Sequence, residues 1–194
     1  MAETDLQGTK LVGGSPTVMP LLEDPSTVPW LRIGALLADI PHALIGGHAV
    51  NVWVEPRLTI DVDLTLSPDR MDLERVESRL VADGLVKTDE HASDPGLGPD
   101  FQRFKSTDGR LIVELQVART EFQREVIRRA HRLSSGLSIA TPEDLIVLKL
   151  IANRTKDFKD LIDLCALPDL DWGHIDHWAS VWDVRERIAQ FRKT

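Results

Sequence analysis

Apolar and polar residues alternate most regularly between Ile60 and Leu66, where every second side chain is apolar. This period of two is typical of a strand with one buried and one polar face. Apolar residues at helical spacing instead predict helices over residues 30–40, 48–54, 69–82 and 121–132. Short apolar runs predict a strand at 43–45 and a hairpin with arms at 101–105 and 110–117.

The last third of the chain predicts helices alone. Residues 141–144 predict the start of a helix, because Thr141 is a favourable N-cap and is followed by Pro142 and by two acidic residues in the first turn. Helices are predicted over about 142–153 and 156–167, followed by a helical tail that carries tryptophans. Because strands come early and helices late, the predicted fold class is α+β.

The length of 194 residues predicts one domain. Residues 1–28 contain three prolines and no sustained periodicity, which predicts a poorly ordered lead-in before a single domain at 29–194. Within that domain we expect a catalytic core at about 29–140 and a helical part at about 141–194. No apolar run approaches the roughly 20 residues that cross a bilayer, and the N-terminus has no secretory signal pattern. The single cysteine, Cys165, lies in an apolar run, so we expect a buried thiol in a cytoplasmic protein without membrane association.

The formal net charge of -8 argues against a protein that binds nucleic acid over its whole surface. Residues 101–160 nevertheless hold 12 Lys and Arg against 8 Asp and Glu. This local excess suits a phosphate-bearing ligand, although on charge alone a set of solvated helix faces is the favoured explanation. The same two alternatives, a solvated face or a surface for an RNA acceptor, apply to Arg119, Arg124, Arg128, Arg129 and Arg132.

Two acidic residues stand out in the alternating strand. Asp61 and Asp63 are two residues apart and therefore share a face, where hard carboxylate oxygens favour Mg²⁺. Glu114 is a third candidate ligand if its strand lies beside theirs, which would give the carboxylate set of a two-metal phosphoryl-transfer site. The alternatives are a solvated strand face and a half-exposed glutamate on an edge strand.

Two further features suit phosphate. Gly46 and Gly47 lie between a strand and a helix, where backbone N–H groups can approach an anion, although most such pairs are only turns. Lys149 lies in a helix that is apolar nearly all round, so it either extends to solvent or meets an anion. His174 and His177 are assigned to the surface or to packing rather than to a metal.

Together these motifs resemble the polymerase-beta-like nucleotidyltransferase superfamily. The pattern of Gly46-Gly47, Arg57-x-Thr59-x-Asp61-x-Asp63, Pro142-Glu143-Asp144-Leu145 with Lys149, and Lys159-Asp160-x-x-Asp163-Leu164 is similar to the AbiEii-type branch, which contains toxins of type IV toxin–antitoxin systems. The resemblance covers roughly residues 30–167. It implies a mixed β-sheet flanked by helices, with a helical C-terminal part.

The resemblance also implies roles. Gly46, Gly47 and the adjacent His48, which replaces the usual threonine of AbiEii-type proteins, would bind the nucleotide together with Lys149. Asp61 and Asp63, with Glu114, would hold Mg²⁺. Glu114 and Asp160 compete for the role of catalytic base, and Asp160 is alternatively a residue that positions the lysine or the acceptor.

The predicted activity is Mg²⁺-dependent transfer of an NMP from an NTP, such as ATP, to an acceptor hydroxyl. The acceptor class stays open between RNA, a protein and a small molecule such as an aminoglycoside, and a cognate antitoxin is an expected partner. The alternative function is a catalytically inactive protein of the same fold that binds a nucleotide or a partner.

Overall fold

The computed structural model describes residues 29–67 and 69–192, so the lead-in predicted for residues 1–28 lies outside the described residues. Within these ranges one mixed sheet is flanked by helices on both faces, which confirms the predicted fold. The strands are β1 (His42–Ile45), β2 (Asp61–Leu66), β3 (Leu85–His91), β4 (Phe101–Ser106), β5 (Ile112–Val117), β6 (His131–Arg132) and β7 (Ser138–Ile139). The helices are α1 (Pro29–Leu36), α2 (Gly46–Trp53), α3 (Arg70–Ala82), α4 (Glu121–Arg129), α5 (Pro142–Ala152), α6 (Asp157–Cys165), α7 (Trp172–Val181) and α8 (Arg185–Ala189).

The sheet has the strand order β3-β4-β5-β2-β1-β7-β6. At its centre β2 pairs antiparallel with β1 and parallel with β5, and the predicted hairpin of β4 and β5 continues the sheet on one side. The register sets Asp63 opposite Ile45 on β1 and opposite Glu114 on β5. Side chains of one face therefore run across three central strands in a single row.

The alternation along β2 decides which of its faces is buried. Val62, Leu64 and Leu66 are buried in the hydrophobic core, as their period of two predicts. Ile60 was expected to join them, and this is wrong. The strand begins at Asp61, so Ile60 lies before the first paired position and its side chain is 57% exposed.

Side-chain caps fix the helix starts. The Thr141 hydroxyl accepts the backbone N–H of Asp144 at 3.2 Å, with Pro142 in the first turn, so the predicted start of α5 is confirmed. At α4, Thr120 and Gln123 form a reciprocal capping box. This helix ends at Arg129 rather than at the predicted residue 132, because residues 131–132 leave it to pair with β7.

Strands β3, β6 and β7 are absent from the sequence prediction. In β3 only Leu85 is buried, and the exposed remainder is mostly polar, so the edge strand has no alternating pattern. Two residues each in β6 and β7 are too few for a pattern. Cys165 is a buried free thiol, as predicted. No helix within 29–67 and 69–192 has the length and apolar character to span a membrane.

Candidate active site

Three carboxylates lie in one row on the polar face of the central strands. Asp61 and Asp63 alternate with buried Val62 on β2, and the register places Glu114 of β5 directly beside Asp63. Neighbouring strands are about 4.8 Å apart, so the side chains of such a pair are close neighbours. The structure therefore places Glu114 beside the Asp61 and Asp63 pair, an arrangement that the sequence left open.

The turn between β1 and α2 fits tightly against this row. Gly46 has a φ of 67°, and a Cβ atom built on it would lie 2.0 Å from Oδ2 of Asp63. At Gly47 a Cβ atom would lie 2.6 Å from the Thr59 hydroxyl oxygen. Glycine is therefore required at Gly46 both by the backbone conformation and by the closeness of the carboxylate. Helix α2 begins here without a side-chain cap, which leaves its first N–H groups available to an anion.

Asp63 carries the electrostatic signature of the site. The pKa of Asp63 is raised to about 6, first by burial and then by the negative charges of Glu114 and Asp61, against a smaller opposing effect of Arg154 and Lys149. A bound cation would remove this repulsion. The raised pKa of Asp63 therefore fits a carboxylate that binds a metal cation.

One carboxylate oxygen of Glu114 is hydrogen-bonded by an arginine. The guanidinium of Arg103 on β4 donates to Oε1 of Glu114 from Nε at 2.9 Å and from Nη2 at 2.7 Å. Within 29–67 and 69–192, no three His, Cys, Asp or Glu side chains converge as a preformed metal site. Mg²⁺ is commonly held by one or two carboxylates together with substrate phosphates, so Asp61 and Asp63 are a sufficient protein contribution.

Lys149 is buried, with 4% of its side chain exposed, and it lies between two carboxylates. Its Nζ is 2.8 Å from Oδ1 of Asp157 and 2.6 Å from Oδ2 of Asp160. The interpretation that this lysine extends to solvent is therefore wrong. An ammonium has three N–H donors, and because Lys149 also lines the cleft described below, one donor is left for a ligand.

Two arginines complete this network. Arg57 donates to both oxygens of Asp160 at 2.7 Å each, and Arg154 donates to both oxygens of Asp157 at 2.7 and 3.1 Å. Burial by itself would raise the pKa of each aspartate, but hydrogen bonds from the arginine and from Lys149 outweigh it and hold both pKa values below the usual range. The three cationic and two anionic side chains of this network together carry one net positive charge, which lies near Asp63.

Sequence reasoning missed Asp157, which lies in the strongly charged first turn of the helix predicted over 156–167. Asp157 and Asp160 are buried, on the same face of α6 as Leu161 and Leu164. Their spacing carried the signal, because acids at helical spacing from buried leucines lie on the buried face and need cationic partners. Arg103 gave no such signal, since only the pairing of β4 with β5 brings it to Glu114.

A cleft of about 260 Å³ joins these groups. Its lining includes Gly46 and the charged side chains of Asp63, Glu114, Lys149 and Arg154, together with uncharged side chains from β1, β5, α4 and α5 and from Trp182 after α7. Asp160 is bonded to the lysine but does not line the cleft. The site therefore combines charged groups beside the glycine turn with uncharged side chains from the flanking helices.

Some candidate residues do not line this cleft. The ring of His48 is half-buried, 6.1 Å from the ring of Trp30, and burial lowers its pKa despite the nearby Asp61 carboxylate. His174 Nε2 is 2.7 Å from Oδ1 of the buried Asp144, in a separate polar cluster. Each of the five arginines at 119–132 has a partner within the chain: Arg119 bonds Asp100, Arg124 the Arg119 carbonyl, Arg128 Glu125 and Arg132 the Ala38 carbonyl, and Arg129 lies near Asp144.

Solved structures with this fold are nucleotidyltransferases. A protein from H. pylori assigned to that class is 20% identical, with a TM-score of 0.50 over 84% of this chain and 78% of its own. The solution structure of the antibiotic-resistance factor ANT(2'')-Ia has 13% sequence identity to this chain and a TM-score of 0.55, over 89% of this chain and 96% of its own. Its crystal structure, in complex with adenylyl-2''-tobramycin, is 14% identical with a TM-score of 0.54 over 83% and 97%. At these identities the likeness establishes the nucleotidyltransferase fold.

The sequence itself is more specific. The profile of the AbiEii nucleotidyl transferase toxins of type IV toxin–antitoxin systems matches residues 35–194. The chain therefore belongs to the AbiEii nucleotidyltransferase family, as its motifs predicted, and is a transferase by family. A comparison with the curated proteins gives no match.

Proposed function

We propose that this protein transfers an NMP from an NTP to an acceptor hydroxyl in a Mg²⁺-dependent reaction. The observation that carries the proposal is the contact of Gly46 with Asp63 at the uncapped start of α2, facing a cleft lined by Lys149. Asp61 and Asp63 would hold the metal, whose chemistry is to neutralise phosphate charge and polarise the phosphoryl oxygens. The proposed setting is the cytoplasm.

The side chains then divide the remaining work. Backbone N–H groups at Gly46 and Gly47 bind the triphosphate, and Lys149 adds positive charge from the opposite wall. The acceptor oxygen forms a bond to the α-phosphorus, the bond from that phosphorus to the bridging oxygen breaks, and pyrophosphate leaves. The acceptor proton goes to a carboxylate.

Glu114 is the better candidate for that carboxylate. It lines the cleft, its side chain is 19% exposed, and Arg103 bonds only one of its oxygens. Asp160 is 2% exposed and both of its oxygens are bonded, by Arg57 and Lys149. We therefore assign Asp160 to positioning Lys149 and Arg57.

The test is incubation of the purified protein with each α-labelled NTP and Mg²⁺, with total RNA, protein and an aminoglycoside as parallel acceptors. We expect label transfer to one acceptor class, loss of transfer with EDTA or in Asp63→Asn, and a fall in kcat in Glu114→Gln. Asp160→Asn should instead weaken NTP binding and lower stability. NTP binding without transfer to any acceptor would favour a binding module. The family membership makes a cognate antitoxin the proposed protein partner, and addition of that protein is expected to suppress transfer.

A further inference from the structure

The lining of the cleft has an uncharged part that differs in composition from its charged groups. Two amides, Gln116 and Gln123, belong to this part together with Phe122, Leu148 and Trp182. The Phe122 ring lies 4.9 Å from the ring of Trp178, about one helical turn before Trp182, so the start of α4 and the end of α7 meet here. A nucleotide has the same division, because its triphosphate is ionic while its base is flat, apolar on both faces and polar only at the edge. The charged groups of the cleft already account for the phosphates, so the uncharged part needs a different ligand group.

Trp182 stands apart from the other tryptophans. Within 29–67 and 69–192, Trp30, Trp53 and Trp178 each lie near another aromatic ring and Trp172 lies under the Arg192 guanidinium, whereas no such ring or cation contact involves Trp182. Its side chain comes directly after the last turn of α7, lines the cleft and is 37% exposed. A large aromatic surface left uncovered beside a substrate cleft is a natural stacking platform.

The two amides are positioned to read a base edge. Oε1 of Gln123 accepts the backbone N–H groups of Arg119 and Thr120 and the Thr120 hydroxyl, so the amide nitrogen is left to donate. Gln116 lies two residues beyond Glu114 on the same face of β5. An amide offers both a donor and an acceptor, which is how side chains recognise bases.

We propose that the uncharged part of the cleft binds the nucleobase of the NTP, with the indole of Trp182 stacked on the base. The inference rests on the proposed function and specifies which side chains hold the base of the substrate. An acceptor there fits less well. An aminoglycoside requires carboxylates and an RNA backbone requires cations, and neither is found among Gln116, Phe122, Gln123 and Trp182.

The test separates base from phosphate. Affinities of wild type, Trp182→Ala and Trp182→Phe are measured by calorimetry for ATP, GTP, CTP and UTP, and for inorganic tripolyphosphate, all with Mg²⁺. Loss of base stacking should weaken binding of the preferred NTP about tenfold to a hundredfold in Trp182→Ala, with recovery in Trp182→Phe. Binding of tripolyphosphate, which has no base, should be unchanged. The matched control is Val181→Ala, which truncates the preceding exposed residue outside the cleft lining and should leave every affinity unchanged.

Tryptophan fluorescence gives a second measurement. The preferred NTP should quench emission in wild type, and most of this quenching should be missing in Trp182→Phe although the other tryptophans remain. Equal weakening of NTP and tripolyphosphate in Trp182→Ala, or unchanged NTP affinity, overturns the base site and leaves the proposed function standing. A wild-type protein that binds neither probe overturns the proposed function and the base site together.

Discussion

Replacement of Asp63 by asparagine should stabilise the metal-free protein. Burial, Glu114 and Asp61 raise the pKa of Asp63 to about 6 from an ordinary value of 3.8. Each pKa unit corresponds to about 1.4 kcal/mol, so ionisation of Asp63 in the folded state destabilises the protein by about 2–3 kcal/mol above pH 6. Asparagine keeps the shape and removes the charge. For a chain of this size the gain corresponds to a rise in melting temperature of about 5–10 °C.

The pH dependence gives this prediction its sign. Between pH 4 and pH 6 the folded protein holds the Asp63 proton more tightly than the unfolded chain does, so stability falls as pH rises through this window. The gain from Asp63→Asn should therefore be largest above pH 6.5 and should shrink towards pH 4, because Asp63 is then protonated in the folded state and increasingly protonated in the unfolded chain as well. The measurement is urea unfolding in EDTA at several pH values.

A matched control has the opposite sign. The Arg79 guanidinium holds the pKa of Asp39 well below its usual range, so Asp39→Asn should lower stability at pH 7.5. Mg²⁺ with NTP should cancel most of the difference between wild type and Asp63→Asn, because ligand bound only by the native state adds about 2.7 kcal/mol at a hundredfold excess over Kd, and only wild type keeps both metal-binding aspartates. A gain in Asp63→Asn that is absent at pH 7.5, or that persists undiminished at pH 4, would refute the electrostatic reasoning.

Two further substitutions test the groups of the cleft that are proposed to bind phosphate. Lys149→Met should lower the free energy of unfolding by about 2–4 kcal/mol in chemical denaturation, because two buried carboxylates lose a cationic partner. Adding Asp157→Asn should restore part of the loss. Full stability in the single variant would contradict the buried network. Gly46→Ala should abolish NTP binding and lower the melting temperature far more than Gly84→Ala. Both glycines have a positive φ, but only Gly46 faces Asp63. Equal effects of the two substitutions would mean that backbone strain alone is responsible.

Much of the fold could be predicted from sequence patterns within single strands and helices. The strict alternation in β2 identified a two-faced strand with both aspartates on one side, and the cap at Thr141 located the start of α5. These features depend on residues within one strand or one helical turn, so the sequence contains them directly. The glycine and aspartate pairs, together with Lys149 and the motifs at 142–145 and 159–164, were also enough to indicate the AbiEii family, which the match over residues 35–194 confirms.

Tertiary structure decided what the charged groups contact. Arg57 and Asp160 are 103 residues apart in sequence, and Arg103 meets Glu114 only because β4 pairs with β5. Such partners depend on strand order and helix packing, and residue spacing does not encode them. The same packing buried Lys149 between two carboxylates and favoured Glu114 over Asp160 as the candidate base, a choice that the sequence left open because both are acidic residues with no local feature that separates them.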